Sequence, residues 1–163
     1  MIKNNFKKNI IFIIIFTFIF ATDRLSKLYI LNLAETDQFV NIYINQFLNF
    51  HLIWNTGIGF GLFSSDTNLY YNLITFLIVL INLIILIMIL KSHDYKFFLL
   101  LIILGGSLGN LFDRIYYKAV PDFIDLHYND FHWFIFNVAD IFITVGVICL
   151  IFAELFLNKE KTN

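Results

Sequence analysis

Cysteine, proline and charge are all scarce in this chain of 163 residues. The single cysteine, Cys149, rules out an internal disulfide framework. It lies in an apolar run, where an inert buried thiol is expected rather than a nucleophile. The one proline, Pro121, leaves the long apolar blocks free of helix breakers. Charged residues make up 14% of the chain and the formal net charge is −1, so no basic face is available for nucleic acid. What replaces charge is apolar surface: 60% of residues are hydrophobic and the mean hydropathy is +0.79. A soluble domain carries about 45–50% apolar residues. The excess sits in blocks, which points to an integral membrane protein.

Four blocks, at about 9–33, 69–90, 97–116 and 137–157, are long enough to cross a hydrocarbon core. That takes about 20 helical residues. They are apolar all round rather than alternating, so helices are expected and a barrel is not. The fold class expected is a membrane all-α bundle of four transmembrane helices in a single domain, with a small β-sheet in the first extracytoplasmic loop. The first block follows Lys3, Lys7 and Lys8 and lacks a small-x-small cleavage site, so it is expected to be an uncleaved signal anchor.

Basic residues set the orientation. Lys3, Lys7 and Lys8 precede the first helix, Lys91 and Lys96 lie between the second and third, and Lys159 and Lys161 follow the fourth. The connection at 34–68 has no Lys or Arg, and the connection at 117–136 has only Lys118. Both termini are therefore expected in the cytoplasm and both larger loops outside. Residues Phe39 to Asn55 alternate partly, and Leu52 and Trp54 share a strand face. Three glycines, Gly57, Gly59 and Gly61, then interrupt regular structure. The second loop has a turn signal at Asn129-Asp130, and Pro121 is expected to place a turn before Asp122.

Residues 105–140 gather most of the polar groups near the apolar blocks. Asp113, Asp122, Asp125 and Asp140 occur there with Arg114, Asn110 and Asn137. Charge beside a bilayer is costly, so such a cluster marks a candidate functional site. Asp23 and Lys27 are spaced i, i+4 in the favourable order for a helix ion pair. Gly105, Gly106 and Gly109 include a G-x-x-x-G spacing that lets membrane helices approach closely. Asn110, Asp113 and Arg114 are expected on one helix face. Arg114 either pairs with Asp113 or binds an anionic group. Asn137 and Asp140 also read as the N-cap and first turn of the fourth helix. Two carboxyls brought into contact share a proton, and one then serves as base toward water and the other as acid toward a carbonyl. Spacing alone leaves this chemistry and metal binding both open.

Five motifs in order resemble one family over nearly the whole chain, the lipoprotein signal peptidases of type II. They are Asp23-x-x-x-Lys27, Asn55-Thr56-Gly57-x-Gly59-Phe60-Gly61, Gly105-Gly106-x-x-Gly109-Asn110-x-x-Asp113-Arg114, Val120-x-Asp122-Phe123-x-Asp125 and Phe136-Asn137-x-Ala139-Asp140. Pro121 stands where the family more often has an aliphatic residue, and Gly59 where alanine is usual. The resemblance implies a metal-independent aspartic endopeptidase without cofactor in the bacterial cytoplasmic (inner) membrane, with its active site on the outer face. It would remove the signal peptide of a prolipoprotein just before the diacylglyceryl-modified cysteine. It implies Asp122 and Asp140 as the catalytic pair. Asn55, Gly57, Asn110, Arg114 and Asn137 would bind the substrate or a globomycin-type inhibitor. Asp23, Lys27 and Asp113 would support the site. The partners implied are the lipidated substrate and membrane lipid, with no nucleic acid.

Three other readings compete. A metal-dependent membrane transferase would gather Asp113, Asp122, Asp125 and Asp140 around Mg²⁺. A proton-coupled carrier would use the same acids, although they cluster at one side rather than at the midplane. A Ser/Lys protease would need Ser26, which adjoins Lys27 but faces elsewhere on a helix.

Overall fold

The computed structural model describes residues 2–37, 40–57, 68–92 and 94–157. Gly59, Phe60, Gly61, Lys159 and Lys161 lie outside the described residues, as do the side chains of Lys3, Lys7 and Lys8. The element order is α1 (Ile2–Asp37), β1 (Asn41–Asn45), β2 (Leu48–Asn55), α2 (Asn68–Lys91), α3 (Tyr95–Tyr117), β3 (Val120–Tyr128), β4 (Phe131–Phe136) and α4 (Val138–Leu157). Stretches of α2, α3 and α4, namely Leu69–Lys91, Tyr95–Tyr117 and Val138–Phe156, are long and apolar enough to cross a membrane. The first helix differs because Asp23, Arg24 and Lys27 interrupt its apolar run. All three charges turn inward, while Ile13, Ile14, Phe18 and Leu25 face outward.

The third helix is the hub and packs on α1, α2 and α4. Its buried face runs from Phe97 through Leu104 and the glycines to Arg114. Each glycine removes a specific obstruction. A Cβ on Gly106 would come within 2.6 Å of the Ala139 carbonyl oxygen, and one on Gly109 within 2.6 Å of Asp23 Oδ2. A Cβ on Gly105 would meet the side chain of Ile19 at 3.1 Å. The expected close approach is thus real, and it brings both α1 and α4 against one α3 turn.

The sheet is larger than one loop. Four antiparallel strands run in the order β1-β2-β3-β4, so the second connection supplies half of them. Pro121 therefore lies inside β3, opposite Trp54, rather than in a turn. It is tolerated because β4 pairing begins only at Ile124, which leaves β3 with one neighbour at Pro121. The Asn129-Asp130 turn does form, with Asn129 at φ 50°. One face of the sheet packs through Val40 and Phe123 on Ile30 near the end of α1, with Val138 at the start of α4 closing the cluster. Cys149 is exposed on α4, not buried, because the outward face of that helix has no neighbour among the described residues.

Candidate active site

The site forms where β2, β3, α3 and the start of α4 meet. Register places Asp122 opposite Ile53 and Val120 opposite Asn55. The side chains of Asn55 and Asp122 then meet diagonally across the strand pair, with Asn55 Nδ2 donating to Asp122 Oδ2 at 2.8 Å. On the other oxygen, Asn137 Nδ2 donates to Asp122 Oδ1 at 2.6 Å.

Asn137 is also the N-cap of α4. Its Oδ1 accepts from Asp140 N at 3.2 Å, and Asp140 Oδ2 accepts from Asn137 N at 3.1 Å. This is a reciprocal capping box built from Asn and Asp. Capping leaves Asp140 Oδ1 free for Asn110 Nδ2 at 2.8 Å. One asparagine thereby donates to both carboxyls, to Asp122 through its side chain and to Asp140 through its backbone N–H. Asp122 and Asp140 are 1% and 9% exposed, and both line a cavity of about 290 Å³. Asn55, Asn110, Arg114 and Asn137 share that lining with Ile78, Ile81, Val120 and Ile143. Burial pushes the Asp122 carboxyl up to about 7, and the Asp140 charge pushes it the same way. The two asparagine donors pull in the opposite direction.

Behind this pair lies a second polar layer. Lys27 Nζ donates to Asp23 Oδ2 at 2.9 Å, to Asp113 Oδ2 at 2.7 Å and to Asn110 Oδ1 at 2.8 Å. Lys27, Asp23 and Asp113 are fully buried. Asp23 Oδ1 accepts from Ala139 N at 3.1 Å, so α1 satisfies one orphan donor at the start of α4. Sequence reasoning missed Arg24. It joins the layer through Asp113 Oδ1 at 2.5 Å and Asp23 Oδ2 at 3.2 Å, and its guanidinium lies 5.0 Å from the Phe112 ring centre. A helix wheel separates i and i+1, but the long arginine stem folds back to the face used by Asp23.

Asp113 and Arg114 do not pair. Their neighbouring positions on α3 send Asp113 toward α1 and Arg114 toward α2. Arg114 Nη1 donates to Thr56 O at 3.4 Å and Nη2 to Gly57 O. Tyr71 supports it, with its ring 5.8 Å from the guanidinium and its hydroxyl donating to Arg114 O at 2.6 Å. Gly57 is buried and donates its N–H to Asn55 Oδ1 at 2.8 Å, but it is not part of the cavity wall. Neither the four-aspartate cluster nor a Ser26–Lys27 pair forms. Asp113 is committed to Lys27 and Arg24, and Asp125 to His132 on the β3–β4 hairpin. Ser26 Oγ donates to the Asp23 carbonyl at 2.8 Å, one helical turn back, while Lys27 is held among carboxylates.

Fold and site define a multi-pass helical membrane protein with a buried two-carboxyl centre where the helices meet the sheet. Residues 15–156 match the family described as signal peptidase (SPase) II, and the chain belongs to that family. A lipoprotein signal peptidase from Pelagibacter ubique (strain HTCC1062) is 55% identical over 163 residues, covering 100% of this chain and 98% of the relative. One from Anaplasma phagocytophilum (strain HZ) is 39% identical over 149 residues, covering 91% and 94%. Two solved structures described as bacterial membrane enzymes are also similar. They have TM-scores of 0.69 and 0.66 at 28% and 29% identity, covering 88% and 89% of this chain and 87% and 92% of theirs.

Proposed function

We propose that this chain is a membrane aspartic endopeptidase that removes signal peptides from prolipoproteins, cleaving before the diacylglyceryl-modified cysteine, with Asp122 and Asp140 as its catalytic pair. The observation that carries the residue assignment is that the one residue Asn137 donates to both carboxyl groups of a shared cavity, to Asp122 from its side-chain amide and to Asp140 from its backbone N–H. Asp122, with its carboxyl pushed up to about 7, keeps the shared proton near neutral pH and donates it to the scissile carbonyl. Asp140 takes a proton from the attacking water. Water oxygen bonds to the carbonyl carbon, a gem-diol forms, and collapse breaks the C–N bond as a proton passes to the leaving nitrogen.

The apolar walls at Ile78, Ile81 and Ile143 suit a substrate that arrives from the bilayer with its acyl chains still in hydrocarbon. Asn55, Asn110 and Asn137 orient the two carboxyls. Arg114 fixes the chain at Thr56 and Gly57 and itself lines the cavity that would receive a bound peptide or a globomycin-type inhibitor. In this reading α1 also spans the cytoplasmic membrane, giving four crossings. Both termini are cytoplasmic and the site opens at the outer face. The inward-turned charges of α1 and its outward Ile and Phe side chains support the crossing by α1.

The test is cleavage of a diacylglyceryl prolipoprotein in proteoliposomes by Asp122→Asn and Asp140→Asn, with insertion checked separately. Each is expected to lose at least 1,000-fold in rate, a size typical of a removed reacting group. Wild-type turnover in either variant overturns the assignment.

A further inference from the structure

The β3–β4 hairpin carries a cluster that the cleavage chemistry does not use. Asp125 and His127 are two residues apart on β3, which puts them on one face of the strand. His132 on β4 is the cross-strand partner of His127. The ladder shifts register between Asp125 and His127, and that irregularity lets His132 reach both. His132 Nδ1 lies 3.0 Å from each Asp125 oxygen. The His127 ring stacks on that of His132, with centroids 5.1 Å apart.

His127 Nδ1 is the unresolved group. The atom is buried and has no hydrogen-bond partner among the described residues, yet it lies 4.0 Å from Asp125 Oδ2. An orphaned buried ring nitrogen calls for a reason. Each of the three side chains offers a donor atom within 4.8 Å of the other two. Around a tetrahedral zinc ion, with bonds of about 2.0–2.2 Å, ligand atoms stand roughly 3.3 Å apart. Small side-chain rotations bridge that difference, and the backbone is already fixed: His127 N donates to Phe47 O at 3.0 Å. The exposed edge of His132, at 54%, gives an ion a way in.

We propose that Asp125, His127 and His132 form a binding site for a zinc-class divalent cation that clips β3 to β4, separate from the two-carboxyl centre. Two imidazoles and one carboxylate favour zinc, copper or nickel over magnesium or calcium, which want six or more oxygens. The fourth position is left to water. Coordination gives His127 Nδ1 its missing partner and replaces the His132–Asp125 hydrogen bond with two bonds to one ion. Because Asp122 is three residues before Asp125 on the same strand, an occupied clip also stiffens the strand that carries the centre.

The test uses the full chain with a histidine-free tag in detergent, stripped with chelator and titrated with Zn²⁺ at pH 7.5 by calorimetry. One equivalent is expected to bind at micromolar or lower concentration and to raise the unfolding temperature, while Mg²⁺ does neither. His127→Gln and His132→Gln are each expected to weaken zinc binding by about tenfold or more. His132→Gln changes an exposed side chain and preserves the fold, so its far-UV spectrum and its unstimulated peptide cleavage are expected to match the parent. Failure to bind below about 1 mM, or wild-type affinity in either variant, overturns the proposal and leaves only a hydrogen-bonded Asp–His pair.

Discussion

Asn137 Nδ2 stands 2.6 Å from Asp122 Oδ1. The same side chain accepts from Asp140 N to cap the helix, and the Asn137 backbone N–H donates to the Asp140 carboxyl, so the positions of the two carboxyls are tied through one residue. Helix capping and site assembly are therefore one interaction, not two. An amide suits both tasks because it offers a donor and an acceptor at fixed separation.

That dual role is separable by substitution. Asn137→Ser retains an N-cap acceptor, whereas Asn137→Ala loses it, at about 1 kcal/mol. Both remove the amide bridge to Asp122. Cleavage is expected to fall by about 100-fold or more in both variants, with the unfolding temperature lowered mainly in Asn137→Ala. Comparable cleavage by Asn137→Ser and the parent would show that the bridge is dispensable.

Asp122, the acid of the proposed catalytic pair, is expected to set the pH profile. Its carboxyl is pushed up to about 7, so its proton leaves as pH rises through neutrality. Above that point kcat/KM is expected to drop roughly tenfold per pH unit. Stability has the same sign. The folded chain holds this proton where the unfolded chain has released it, between the ordinary carboxylate range and about 7. Stability is therefore present at lower pH and lost as pH climbs through that window. Denaturation at pH 5 and pH 8 checks this, and Asp122→Asn is expected to narrow the difference between them.

Lys27 neutralises a fully buried acid pair. Lys27→Met leaves Asp23 and Asp113 short of one cation, a loss expected to cost about 3–5 kcal/mol. Adding Asp113→Asn removes one of the stranded charges and is expected to restore part of that loss. A double variant no more stable than the single one would show that the two residues act independently.

The α3 glycines rank by what their missing Cβ avoids. Gly106→Ala meets a backbone carbonyl at 2.6 Å, and Gly109→Ala a held carboxylate at the same distance. Gly105→Ala meets a side chain at 3.1 Å. The first two are expected to cost about 1–3 kcal/mol and the third less, read as unfolding in detergent. Equal effects at all three positions would contradict this packing.

Arg114→Lys keeps the charge but loses the fork that holds two successive carbonyls, at Thr56 and Gly57. KM for the lipidated substrate is expected to rise by about tenfold, with a smaller change in kcat. A steady-state comparison in mixed micelles decides it.

Much of this molecule is readable from its residues in order. Long apolar blocks have one low-cost fate near lipid, which is helix, because only helix satisfies every backbone group within the segment. The Asp23–Lys27 spacing and the Asn137–Asp140 cap are local on a helix, and both form as their spacing indicates. Pairing between distant segments is a different matter. Nothing local says that β2 from one connection aligns with β3 from another, so the sheet was legible only in its first half. Pro121 looked like a turn because the open flank of β3 exists only after the sheet is built. Arg24 escaped notice for a related reason: its partners come from the i−1 position and from a residue 89 positions further along the chain. Sequence alone determined the apolar helices and the kinds of polar group near their ends. Only the tertiary structure decided that Asp113 would neutralise Lys27 while Asp122 and Asp140 both accept from Asn137, because carboxyl groups acquire different roles from the donors that surround them.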